Sequence, residues 1–107
     1  MIDEGFAHFL VNKYCPKTKL TLTDGCDGLY LDSYNEIIIG RNWHIGGLLH
    51  EITHAILHHK DGRNCHDGVF ADTLTRLIGE VFCGVGFDDD EEPLCSIYFR
   101  KELKQDE

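Results

Sequence analysis

The stretch Leu48-Leu49-His50-Glu51-Ile52-Thr53-His54-Ala55-Ile56-Leu57-His58-His59 decides how this chain is read. Ile45, Leu48, Leu49, Ile52, Ala55 and Ile56 recur at three- and four-residue intervals and predict a helix over 43–59. Apolar on most sides, that helix is expected to be the buried centre of the domain. Gly46 and Gly47 weaken its first turn by roughly 1 kcal/mol each relative to Ala. The helix is therefore expected to start near them, where small residues let a strand or ligand approach closely. Within the run lies His-Glu-x-x-His. Residues four apart stand one turn above each other, so His50 and His54 can offer two imidazoles to one metal ion. Glu51, beside them, can hold a metal-bound water.

Two histidines make half a zinc site, because a catalytic zinc usually takes three protein ligands and keeps one position open. His58 is about 12 Å along the helix axis from His50 at 1.5 Å per residue, too far to share an ion with His54. His58 and His59 are therefore read as bystanders. His66 follows His54 across a loop containing Gly62, so a chain that turns back brings it to the His50/His54 face. Asp72 and Glu80, on the next helix, compete with His66 for the third place. Cys65 adjoins a candidate ligand.

Working outward, Phe6, Phe9, Leu10 and Tyr14 predict one face of a short amphipathic helix over 3 to about 14, stopped by Pro16. Lys19–Thr23, Leu29–Asp32 and Glu36–Ile39 read as three strands separated by the turn signals Asp24-Gly25, Asp27-Gly28 and Ser33-Tyr34-Asn35. Tight turns between short strands predict an antiparallel meander. The unbroken Ile37-Ile38-Ile39 predicts burial on both faces, or a covered edge. After the loop 60–65, Asp67 reads as the cap of a helix to about Phe82, with Phe70, Leu74, Leu77, Ile78 and Val81 as its core face. Pro93 precedes a possible last strand or short helix, 94–99, and the charged residues from about 100 are expected to fray. The expected class is α+β, in one domain of 107 residues.

Composition narrows the function. Net charge is −9, part of it concentrated in Asp88-Asp89-Asp90-Glu91-Glu92, which argues against a nucleic-acid backbone as partner. No apolar run approaches the roughly 20 residues that span a membrane. The acidic start, Met1-Ile2-Asp3-Glu4, is unlike a signal peptide, and a cytoplasmic location is expected. The five cysteines, Cys15, Cys26, Cys65, Cys83 and Cys95, include no Cys-x-x-Cys pair and predict neither a zinc ribbon nor a disulfide framework.

The chemistry expected of such a site is hydrolysis. Zinc acidifies its water and polarises a carbonyl. Glu51 takes the proton and later passes it to the leaving amine. Tyr98, Tyr34 and His44 are conceivable oxyanion partners, and the strand Glu36–Ile39 could pair with an extended peptide.

On these residues the chain resembles the zincin metallopeptidases. The elongated metzincin form is not matched, since it requires Gly and His where this chain has Leu57 and Lys60. The closer resemblance, over roughly 36–82, is to the SprT-like group and related small phage and bacterial metallopeptidases. Their pattern is His-Glu-x-x-His-Ala-x-Leu, a short loop, then His-Gly-x-x-Phe opening a helix. Here it reads His50 to Leu57, then His66-Asp67-Gly68-Val69-Phe70, with Gly68 one place late and Phe70 in register. The resemblance implies a minimal zincin-like fold with Zn2+ held by His50, His54 and His66, and Glu51 as catalytic base. SprT-like zinc ribbons and DNA contacts are not matched, so DNA repair is not carried over. A weaker resemblance, to ImmA/IrrE-like peptidases, implies an acidic third ligand and favours Glu80. The resulting expectation is a small zinc metallopeptidase acting on a protein or peptide substrate. The alternatives are a zincin-fold module that binds a partner protein without cleaving it, and a hydrolase of another bond.

Overall fold

A computed structural model describes residues 2–62 and 65–83. The order of elements is α1 (Glu4–Tyr14), β1 (Lys19–Thr23), β2 (Gly28–Leu31), β3 (Glu36–Gly40), α2 (Ile45–Asp61) and α3 (Gly68–Ile78), which runs into a π-helical turn, Gly79–Cys83. The class is α+β, as expected. The segment 94–99, the acidic run 88–92 and the charged tail lie outside the described residues.

The sheet is not a meander. Its strand order is β1-β3-β2, with β1 parallel and β2 antiparallel to β3. The residues 24–27, read from sequence as hairpin turns, instead arch over the end of β3. Gly40 N–H donates to Asp27 O at 2.7 Å, Arg41 N–H to Thr23 O at 2.9 Å and Asn42 N–H to Gly25 O at 3.1 Å. Five residue steps from Thr23 to Gly28 reach about 16 Å, enough to cross the two strand spacings of roughly 4.8 Å each that separate β1 from β2. β3 is thus the central strand, which is why its isoleucines run unbroken: Ile37 and Ile39 are fully buried on one face and Ile38 half-buried on the other. Because β1 and β2 occupy both edges of β3, the strand Glu36–Ile39 cannot receive a peptide as expected.

The crossing requires glycine at position 40. A Cβ there would meet the carbonyl oxygen of Gly25 at 2.2 Å, and that neighbour is backbone, which cannot turn aside. Gly40→Ala is expected to lower stability by at least about 1–3 kcal/mol, the cost of overpacking, with Tm falling in a thermal melt. An unchanged melt would mean that the loop does not lie across β3.

α1 is capped by Asp3, whose carboxylate accepts from Phe6 N–H at 3.0 Å. Its buried stripe is Ala7, Leu10, Val11 and Tyr14. Phe6 and Phe9 are not core residues: they are 38% and 57% exposed and stack on each other. The spacing 7, 10, 11, 14 gives a stripe about 100° wide, and Phe9 falls nearly opposite it.

α2 is the buried centre. Leu48, Leu49, Ile52, Ala55 and Ile56 join the core with Ile37 and Ile39 of the sheet, Leu10, Val11 and Tyr14 of α1, and Leu77 of α3. The helix begins at the two glycines, as expected, and the space left at Gly47 is filled by Trp43, whose ring lies where a Cβ on Gly47 or on Gly28 would sit. On α3 the core face is Phe70, Thr73 and Leu77, with Leu74 and Val81 partly buried against the core. Ile78 is 40% exposed, since at about 100° per residue it lies roughly 90° round the helix from the centre of that face.

Candidate metal centre

Three histidines from two elements converge. His50 and His54 stand one turn apart on α2, with ring centroids 5.0 Å apart. α2 ends at Gly62, whose φ of 70° places it in the left-handed region, and its N–H closes back on His58 O. Gly tolerates this conformation at no steric cost. The chain returns, and His66 enters just before α3. Asp67 caps α3 by accepting from Phe70 N–H at 3.0 Å, which fixes the backbone next to His66. His66 Nε2 then lies 3.1 Å from His50 Nε2 and 2.9 Å from His54 Nε2, and the ligating atoms of all three lie within 4.8 Å of one another.

This donor set suits a metal ion. Tetrahedral zinc with bonds of about 2.0–2.1 Å sets its nitrogens roughly 3.3 Å apart, close to the two separations made by His66 Nε2. A neutral imidazole nitrogen carries at most one proton. Three converging Nε2 atoms cannot all be satisfied by the protons between them, whereas one cation satisfies all three lone pairs. Burial depresses the protonation of His50, with the nearby His66 adding to it, and pushes His54 down to about 4, with His50 and His66 adding to it. Both are held neutral at pH 7, the form that binds metal.

The other candidates lie elsewhere. Glu80 accepts from the Tyr14 hydroxyl at 3.2 Å, bridging to α1. Asp72 is exposed on α3. Among the described residues the three histidines are the one such cluster, and neither carboxylate belongs to it. His58 faces the ring of Tyr30, with centroids 6.0 Å apart, and His59 also lies outside the cluster. Cys65 is exposed and its thiol donates to Asp67 at 3.5 Å. Cys15 is buried, and burial pushes its thiol up to about 12.

Glu51 follows His50 on α2 and is 5% exposed. Burial pushes its carboxyl up to about 7. Of the conceivable oxyanion partners, Tyr34 is 77% exposed, His44 serves as the N-cap of α2 by accepting from Gly47 N–H at 3.0 Å, and Tyr98 lies outside the described residues. Periodicity predicts Phe70 as a core residue, and the SprT-like pattern puts it four residues after His66 without giving it a contact with the histidines. Its ring centroid lies 4.8, 4.6 and 4.8 Å from those of His50, His54 and His66. The four-residue interval from His66, one helical turn, was the available signal.

Asp67→Ala removes the cap that sets both His66 and Phe70. It is expected to cost about 1 kcal/mol of stability and to weaken zinc binding roughly 10-fold. Urea unfolding and competition with a chromophoric chelator measure the two. Lost stability with unchanged zinc affinity would make Asp67 a cap and nothing more.

Among the described residues no helix is long and apolar enough to cross a membrane. No family model, no curated protein and no solved structure matches this chain, so its function has to be read from the geometry of His50, His54, His66 and Glu51.

Proposed function

We propose that the protein is a small zinc metallopeptidase in which His50, His54 and His66 hold the metal and Glu51 is the general base. The observation that carries this reading is the convergence of three imidazoles, two of them on α2 beside the buried carboxylate of Glu51. The likeness to the SprT-like pattern in His50–Leu57 and His66–Phe70 supports it. A structural metal has no need of a base beside it, so Glu51 favours catalysis over a module that only binds a partner.

When bound, zinc would acidify water and polarise the substrate carbonyl. Glu51 supplies the proton transfers. Its carboxyl, raised to about 7 in the metal-free protein, lies near the working pH, where acid–base exchange is most efficient. Glu51 is thus the base as water attacks the substrate carbonyl and the acid as the amine leaves, and a dication held by the three histidines would favour its ionised form. Its burial keeps bulk water from competing for the proton.

The test is metal analysis of protein loaded with one equivalent of zinc, with hydrolysis of denatured casein as readout. One bound zinc and chelator-sensitive cleavage are expected. Stoichiometric zinc without cleavage of any protein substrate would leave the binding-module reading instead.

A further inference from the structure

The six centroid separations among the rings of His50, His54, His66 and Phe70 all lie between 4.6 and 5.0 Å. Four rings at nearly equal mutual distances sit at the corners of a tetrahedron. The three imidazoles form one triangular face of it and Phe70 is the apex above that face. His66 Nε2 is 2.9 and 3.1 Å from its partners' Nε2 atoms, while the ring centres are 4.6 and 5.0 Å apart. The nitrogens therefore point into the triangle, and one side of the triangle is covered by an apolar ring.

We propose that Phe70 is a positioning residue that seals one side of the histidine triad and leaves a bound metal a single open coordination position, on the side away from Phe70. This rests on the reading of the triad as a metal site. Phe70 is 5% exposed, and a phenyl ring offers no lone pair, so it supplies neither a ligand nor a path for water. It touches each imidazole, which restricts the ring orientations that aim Nε2 inward. Its own position is set by the same turn that sets His66, through its N–H donated to Asp67. A catalytic metal needs one exchangeable position and gains nothing from a second on the far side, so covering one side directs where water and substrate enter.

Cobalt(II) is the probe, because its visible absorption is strong in four-coordinate sites and falls when a further ligand enters. Wild-type protein is expected to bind one cobalt with an intense visible band. Phe70→Ala opens the covered side to water. It is expected to lose at least about half of that intensity and to bind cobalt roughly 10–100-fold more weakly. Phe70→Leu covers less of the side than Phe and should shift both readouts in the same direction by less. Far-ultraviolet circular dichroism checks folding, and Phe70→Leu decides if Phe70→Ala does not fold. A folded variant with the wild-type spectrum overturns the proposal, even if its affinity has fallen, since a merely structural ring would lower affinity without changing coordination. Absence of cobalt binding by the wild type would overturn the metal-site reading itself, a different result from a wild-type spectrum in the variant.

Discussion

Glu51→Gln is expected to keep its zinc while losing peptide hydrolysis by about 10²–10⁴-fold, the usual contribution of a positioned general base. Glutamine has nearly the same shape but cannot accept a proton at neutral pH. The proposed ligand set, the His50, His54 and His66 cluster, does not include residue 51, so metal content should stay at one per chain. Casein cleavage and atomic absorption on the same preparation measure both. Cleavage that survives the substitution would remove Glu51 from the mechanism. Persistence of the protein's biological effect in Glu51→Gln, where that effect can be assayed, would favour the non-cleaving module.

The same variant carries a pH signature in metal-free protein. Burial raises the Glu51 carboxyl from its ordinary value of 4.5 to about 7. The folded state therefore binds an extra proton, and stability from this group falls as pH rises from about 4.5 to 7. His54 runs the other way: lowered from 6.5 to about 4, it contributes stability that is present above 6.5 and is lost as pH falls toward 4. In the wild type the two slopes oppose each other across that window. Glu51→Gln removes the first, so its metal-free form should gain stability more steeply with pH and exceed the wild type above pH 7, by up to roughly 3 kcal/mol. Urea unfolding in chelator at pH 5 and pH 8 reads the difference. Equal stability of the two proteins at pH 8 would mean that Glu51 carries no burial penalty.

Legibility from sequence followed the range of the interaction. α1, α2 and α3 begin at or beside the expected residues because caps and apolar periodicity are local: Asp3 and Asp67 cap α1 and α3 through bonds three residues long. The sheet order was not legible, since Asp24-Gly25 and Asp27-Gly28 have turn chemistry whether the chain folds back beside its own strand or arches over another. Only Gly40, whose Cβ would strike Gly25, records the crossing. Aromatic residues at helical spacing predict Phe6 and Phe9 as core, but Ala7 and Val11 complete a better stripe with Leu10 and Tyr14. Within the site, the pair on α2 follows from helix geometry, whereas the third position is a tertiary matter. His66, Asp72 and Glu80 were all within reach until the return at Gly62 and the Tyr14–Glu80 hydrogen bond separated them.

His66→Ala should therefore separate the three-histidine site from its rivals. The substitution leaves His50 and His54 on α2, where two nitrogens alone hold zinc poorly. A loss of at least about 100-fold in zinc affinity is expected, exceeding the 10–100-fold typical of an outer-shell change. Folding should survive, because His66 is exposed and lies in a loop before the α3 cap. The control is Glu80→Gln. If the metal were held by an acidic third ligand, Glu80→Gln would lose affinity and His66→Ala would not. With His66 as third ligand Glu80→Gln keeps zinc and weakens the hydrogen bond from Tyr14, worth about 1 kcal/mol of stability. Isothermal titration with a competing chelator gives both affinities. Unchanged affinity in His66→Ala would remove His66 from the site and with it the convergence on which the zinc reading stands. A fall in both variants would mean that the two residues act on one ion.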